Sequence, residues 1–143
     1  MARIKIQIPS QFAFFTVIPV RITDINYGGH VGNDTVLSLI HEARVQFLQS
    51  RGYRELDLEG VGVIMSDVAI EFKSELFYGD MVTARVGAGD FTGVGFDIYY
   101  QLEKGTSAEI TVVAIAKTGM VCYDYSIKKI AKTPSGVKLK LMG

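Results

Sequence analysis

The stretch "NDTVLSLIHEARVQFLQSRG", residues 33–52, decides the fold. Val36, Leu37, Ile40, Ala43, Phe47 and Leu48 recur at three- and four-residue steps, which places them on one face of a helix. Asn33 suits the N-cap, and Asp34 suits the first turn, where the helix dipole favours negative charge. Gly52, directly after Arg51, is a stop signal. The spacing predicts a helix of about five turns, from near Asp34 to near Arg51. Glu42 lies opposite the apolar stripe, beside Ser38 and Gln49, on a face that reads as solvated. Arg44 falls within the stripe. A buried guanidinium needs a carboxylate, and Asp24 and Glu71 are the candidates. His41, at the stripe's edge, reads as an interface residue.

After this helix the pattern changes to strands. Residues 61–73, "VGVIMSDVAIEFK", are apolar, with a polar break at Ser66-Asp67 that fits a bulge. Residues 78–91 open with a Gly79-Asp80 turn. Residues 93–104 alternate, with Val94, Phe96, Ile98, Tyr100 and Leu102 on one face. Residues 109–124 are apolar on both faces in their first half, as in a central, covered strand. The links "DFTG" and "KGTSA" suggest consecutive antiparallel hairpins. Before the helix, residues 12–22 read as a strand with Pro19 at an edge or bend. One strand, one long helix and four strands give an α+β class, with a five-stranded antiparallel sheet wrapped around the helix. The tail from Lys128 to Gly143 reads as loose.

The 143 residues suit one domain spanning 1–143 and can bury a core without a disulfide or metal staple. Fifteen Lys+Arg balance fifteen Asp+Glu, which gives no argument for nucleic acid or an anionic membrane surface. The single cysteine, Cys122, rules out an internal disulfide, fits a reducing compartment and reads as structural. Charges and Pro9 interrupt the apolar N-terminus, so it makes neither a good signal peptide nor a span. The chain is expected to be soluble and cytoplasmic. Its 48% hydrophobic content suggests that some apolar surface enters a subunit interface. Two histidines and one cysteine without paired spacing make no metal site. There is no nucleophile elbow and no P-loop.

The connection into the helix, "TDINYGGHVGND" (23–34), packs Asp24, Asn26, His30, Asn33 and Asp34 around two adjacent glycines. These are turn residues. They are equally the residues of a site at a helix N-terminus, where free N–H groups hold a developing oxyanion and glycines let a ligand approach.

Three matches make the chain resemble the hotdog-fold thioesterases, in the branch of 4-hydroxybenzoyl-CoA and acyl-ACP thioesterases. His30-Val31-Gly32-Asn33 resembles the His-Val-Asn-Asn that opens the family's central helix. Glu42-Ala43-Arg44 resembles a Glu-Ala-Arg about three turns into it, and Gly79-Asp80 the Gly-Asp that begins the third strand. The resemblance implies a hotdog fold, and hydrolysis of an acyl-CoA or acyl-ACP thioester without a metal or cofactor, coenzyme A being part of the substrate. It implies a homodimer or dimer of dimers with sites between subunits. The site residues it implies are Asp24, Asn26, His30 and Glu42 for catalysis, and Tyr27, Gly28, Gly29, Val31 and Asn33 for substrate binding.

One departure is chemical. The family's catalytic Asp falls on Asn26, and an amide is neither a carboxylate nucleophile nor a general base. Asp24, His30 or Glu42 would have to take that role; the pKa of a free imidazole, about 6.5, permits acid or base work by His30 at neutral pH. Two other readings stay open. The loop resembles, with one residue too many, the Asp-x-Asn-x-x-His of hotdog enoyl-CoA hydratases. The missing Asp also suits a module that binds acyl thioesters without cutting them.

Overall fold

The computed structural model describes residues 3–106 and 108–143. The elements run β1 (Phe14–Pro19), a 3₁₀ turn (Ile22–Asp24), α1 (Asn33–Ser50), β2 (Gly62–Phe72), β3 (Met81–Thr92), β4 (Gly95–Thr106), β5 (Glu109–Asp124), β6 (Lys129–Ile130) and α2 (Val137–Met142). The sheet is antiparallel in the order β1-β3-β4-β5-β2, with β6 added to the end of β5. It therefore has six strands where five were expected. Pro19 closes β1, which is an edge strand.

α1 packs its apolar stripe into the sheet. Val36, Leu39, Ile40, Ala43, Phe47 and Leu48 are buried in one core with Phe96, Ile98, Tyr100 and Leu102 of β4. Leu39 takes the place expected of Leu37, which is half-buried, and Val94 lies in the β3–β4 turn and is exposed. The helix begins one residue earlier than read. Gly32 is the N-cap, Asn33 is the first helical residue, and no side chain caps the start. The other end follows the sequence: Gly52 takes φ +79°, a conformation glycine adopts freely, and the Tyr53 amide returns to the Leu48 carbonyl at 2.8 Å.

Arg44 is buried within the stripe, as predicted, but its carboxylate is neither Asp24 nor Glu71. Its Nε lies 3.2 Å from Glu55 Oε1, and its Nη1 donates to the Tyr100 hydroxyl at 3.3 Å. His41 joins the same Glu55 oxygen at 3.0 Å, and the Tyr100 hydroxyl meets Thr118 Oγ1 at 2.7 Å. This chain ties α1 through the core to β4 and β5. Burial opposes the charge on Arg44, but Tyr100 and Glu55 outweigh it and hold the guanidinium above its ordinary pKa. Burial pushes the Tyr100 phenol upward.

The bulge expected at Ser66-Asp67 is present, where the β2–β5 register shifts between Met65 and Asp67. β5 lies between β4 and β2. Part of the sheet's outer face is crossed by the N-terminal segment. The Ile6 amide donates to Glu71 Oε2 at 2.7 Å, and Ile8 and Phe12 lie along Arg85, Gln101 and a buried Glu103. Thr106 pairs with Glu109 across the second hairpin link; Ser107 of that link lies outside the described residues.

The tail is packed rather than loose. Ala131 donates to the Cys122 carbonyl and Thr133 to the Gly93 carbonyl, each at 2.9 Å. Val137 and Leu141 of α2 have no exposed surface. Arg51 fastens the segment, donating to the carbonyls of Lys140 at 3.1 Å and Gly143 at 3.2 Å.

Candidate active site at the start of the central helix

Between β1 and α1 the chain makes two successive turns. In the first, Asp24 is buried and its Oδ2 accepts the Arg21 backbone amide at 2.8 Å, while Oδ1 lies 3.3 Å from the Arg21 guanidinium. In the second, Ile25 and Val31 bridge as a miniature hairpin. The Asn26 amide donates to the His30 carbonyl at 3.0 Å, and the Gly29 amide returns to the Asn26 carbonyl at 3.1 Å. Gly29 has φ +82°, which the turn requires and side-chain-bearing residues rarely adopt. The Val31 amide donates to the Leu76 carbonyl at 2.9 Å and docks the loop on the segment before β3.

Asn26 divides its two ends. Its Oδ1 accepts the Gly28 amide at 2.9 Å, which leaves Nδ2 directed toward Gly32. His30 Nδ1 lies 3.1 Å from the Val31 carbonyl oxygen, an acceptor, so Nδ1 carries the hydrogen. In the neutral ring Nε2 is then an acceptor. It would lie 3.5 Å from a Cβ at position 28, and it lies 3.9 Å from Glu75 Oε1. The Thr35 and Val36 amides both return to the Gly32 carbonyl at 3.1 Å, which leaves the Asn33 and Asp34 amides at the start of α1 with no carbonyl of their own helix and no side-chain cap.

The residues read from the sequence therefore fall in two places. Asn26, Gly28, Gly29, His30 and Asn33 surround the start of α1. Tyr27 stands fully exposed at the loop's tip, and Val31 is buried in the core. Asp24 and Glu42 instead line a cleft of about 450 Å³ between α1 and β1, together with Val17, Leu39 and Gln46. Glu42 Oε2 accepts from Gln46 Nε2 at 2.6 Å. His41 lines this cleft also, while its ring is paired to Glu55. Among the described residues, no group of three or more His, Cys, Asp or Glu side chains could hold a metal ion.

Sequence reasoning passed over one group here. Asp34 was read only as a first-turn acid, yet its carboxylate stands over Gly32. A Cβ at position 32 would lie 2.7 Å from Asp34 Oδ1 and 3.4 Å from Asn26 Nδ2. The signal was the glycine itself, at a position where the resemblance leads one to expect Asn.

Comparison with known proteins places this arrangement in a family. A sequence profile of the thioesterase-like superfamily matches residues 20–141, and the chain belongs to that superfamily. A search of curated protein sequences finds no match. Among solved structures, the fold is similar to a hypothetical protein from Aquifex aeolicus, with 24% identity, TM-score 0.79, and coverage of 90% of this chain and 98% of that one. It is similar to a 1,4-dihydroxy-2-naphthoyl-CoA thioesterase from Synechocystis, with 21% identity, TM-score 0.78, and coverage of 90% and 94%. A mutant 4-hydroxybenzoyl CoA thioesterase complexed with 4-hydroxybenzoyl CoA also matches, with 14% identity, TM-score 0.79, and coverage of 90% and 97%. The α+β hotdog fold is thereby established. Among the described residues, no helix is long and apolar enough to cross a membrane.

Proposed function

We propose that this protein hydrolyses an acyl thioester of coenzyme A or of acyl carrier protein to a free acid and a thiol. The observation that carries the reading is the uncapped start of α1, with Asn26 Nδ2 directed toward its N-cap residue Gly32 and His30 in the same glycine-containing loop. The thioester carbonyl would accept hydrogen bonds from the first amides of the helix, whose dipole favours the charge that develops on oxygen. Gly28 and Gly29 give the substrate room to approach. In its neutral form His30, with Nδ1–H committed to Val31, would accept a hydrogen bond from water at Nε2. The reading needs no metal and no cofactor beyond the coenzyme A of the substrate, and it assigns the work to the cytoplasm.

β2 supports a second copy of the chain as partner. It is an edge strand, with Ile64, Met65, Val68 and Phe72 exposed, and an apolar edge of this length invites pairing. A homodimer, or a dimer of dimers, would cover it. A monomer in solution scattering would remove this part of the reading.

The test is thiol release from butyryl-, palmitoyl- and benzoyl-CoA, followed with a chromogenic disulfide. Turnover of any of them is expected; release from none sinks the hydrolase reading. A binding-only module remains as the second reading, favoured by the amide of Asn26 where a carboxylate is expected and by the engagement of Asp24 and Glu42 elsewhere. It predicts retention of CoA esters without cleavage. Loss of enoyl absorbance with crotonyl-CoA would instead mark a hydratase.

A further inference from the structure

We propose that the acyl group of the substrate lies in the cleft between α1 and β1, and that Gln46 sets the limit of its length. This rests on the thioesterase reading above. The cleft, about 450 Å³, is within the range usual for small-molecule sites, roughly 300–1,000 Å³. Its walls are mixed: Val17, Leu39 and Val45 are apolar, and Glu42 and Gln46 are polar. Of the lining residues, Asp24, already bonded to Arg21, and Ser38 lie nearest the loop in sequence, two residues before Asn26 and five after Asn33. Five residues of helix rise about 7.5 Å. An acyl group whose carbonyl meets the Asn33 and Asp34 amides therefore reaches the cleft by running along the first turn and a half of α1.

The far end is tied shut. Thr16 Oγ1 donates to Gln46 Oε1 at 2.5 Å, joining β1 to α1, and Gln46 Nε2 donates to Glu42 Oε2 at 2.6 Å. With both ends of its amide bonded, Gln46 cannot turn aside without breaking a hydrogen bond. Further along both elements, away from the loop, the Phe14 and Phe47 rings pack with their centroids 5.8 Å apart. From Ser38 to Gln46 the helix rises about 12 Å, which is the length open to the acyl group. A short or medium acyl group fits that length with its apolar part against Val17, Leu39 and Val45. A long saturated chain has to displace the Gln46 amide and leave Thr16 and Glu42 without their partner, a cost set against the burial it gains.

The experiment measures kcat/KM over the series butyryl-, octanoyl-, dodecanoyl- and palmitoyl-CoA. The unaltered protein should prefer butyryl- or octanoyl-CoA to palmitoyl-CoA. One methylene in an apolar pocket is worth about 10–200-fold, so Gln46→Ala should raise kcat/KM for palmitoyl-CoA relative to octanoyl-CoA about tenfold or more. Thr16→Val, which releases Gln46 but keeps its bulk, should shift the preference the same way and by less. Gln49→Ala, on α1 but outside the cleft, should leave the profile as it was. Circular dichroism checks that each variant folds, and if Gln46→Ala does not, Thr16→Val carries the same comparison. A change in the palmitoyl-to-octanoyl ratio of less than about threefold in Gln46→Ala, below the worth of a single methylene, overturns the proposal while thioester hydrolysis stands. A preference of the unaltered protein for palmitoyl-CoA overturns it in the same way. No release by the unaltered protein from any ester overturns both readings.

Discussion

Two polar clusters are tied to α1, and they are built on opposite terms. The chain His41–Glu55–Arg44–Tyr100–Thr118 runs through the core, with a partner for every member. Around the start of α1, Asn26 Nδ2 and the Asp34 carboxylate lie beside Gly32 with no side-chain partner among the described residues, and His30 Nε2 meets only Glu75, at 3.9 Å. Buried polar groups must be satisfied or they cost stability. Groups at a partly open helix start can stay unsatisfied because water or a ligand completes them. The core cluster holds the fold, and the loop cluster is free to hold something else.

Mutation should separate the two. The largest effect on stability is expected for Arg44→Ala, which leaves Glu55 and the Tyr100 hydroxyl without their cation. Removing one partner of a buried pair costs about 3–5 kcal/mol, and because Glu55 keeps some solvent contact the lower end is expected in urea unfolding. A loss below about 1 kcal/mol, the level of an exposed pair, would break the contrast. Asp24→Ala should come next, costing about 1 kcal/mol, as for a lost turn cap. Its kcat, measured per folded molecule, should fall by less than about threefold, well short of a lost general base. A loss of about 100-fold, the scale of general base catalysis, would return Asp24 to the catalytic group. His30→Ala should change stability by less than about 0.5 kcal/mol, as is usual away from packed features, while turnover drops about tenfold or more. Equal losses of stability and activity would show that the imidazole only holds the loop.

The smallest effect belongs to a third cluster, on the outer face of the sheet. Burial, and the nearby Asp90 and Asp67, raise the pKa of Asp97 against the pull of Lys117. The folded state therefore binds this proton more tightly than the unfolded chain. The associated stability is full below the unfolded value, near 4, and is lost as pH rises through the folded value. Asp97→Asn stays neutral throughout. It should gain a few tenths of a kcal/mol at pH 7, discounted for solvent screening, and nothing at pH 3. An equal gain at both would assign it to packing instead.

Much of the fold was legible because it is periodic. Helix α1 and strand β5 announce themselves over long windows, and residues 109–124 coincide with β5. The tail was not legible. "VKLKLM" alternates like a strand, yet it forms α2, because the core accepts only Val137 and Leu141, four residues apart, and leaves Leu139 exposed. The partner of Arg44 was missed because Glu55 lies beyond the end of α1 and is brought back by the chain after Gly52. At the site, the positions could be read but not the commitments. That Asp24 is spent on Arg21, and that the Asp34 carboxylate covers Gly32, are matters of geometry that spacing does not encode.

The packed tail also furnishes a clock. Cys122, the sole thiol, is fully buried beneath it, within 3.7 Å of Thr133 Oγ1, and burial pushes its pKa up. Alkylation needs an exposed thiolate, so labelling of the native protein must wait for residues 131–133 to lift or for the molecule to unfold. The rate at which one label is gained therefore times how often this end of the chain lets go.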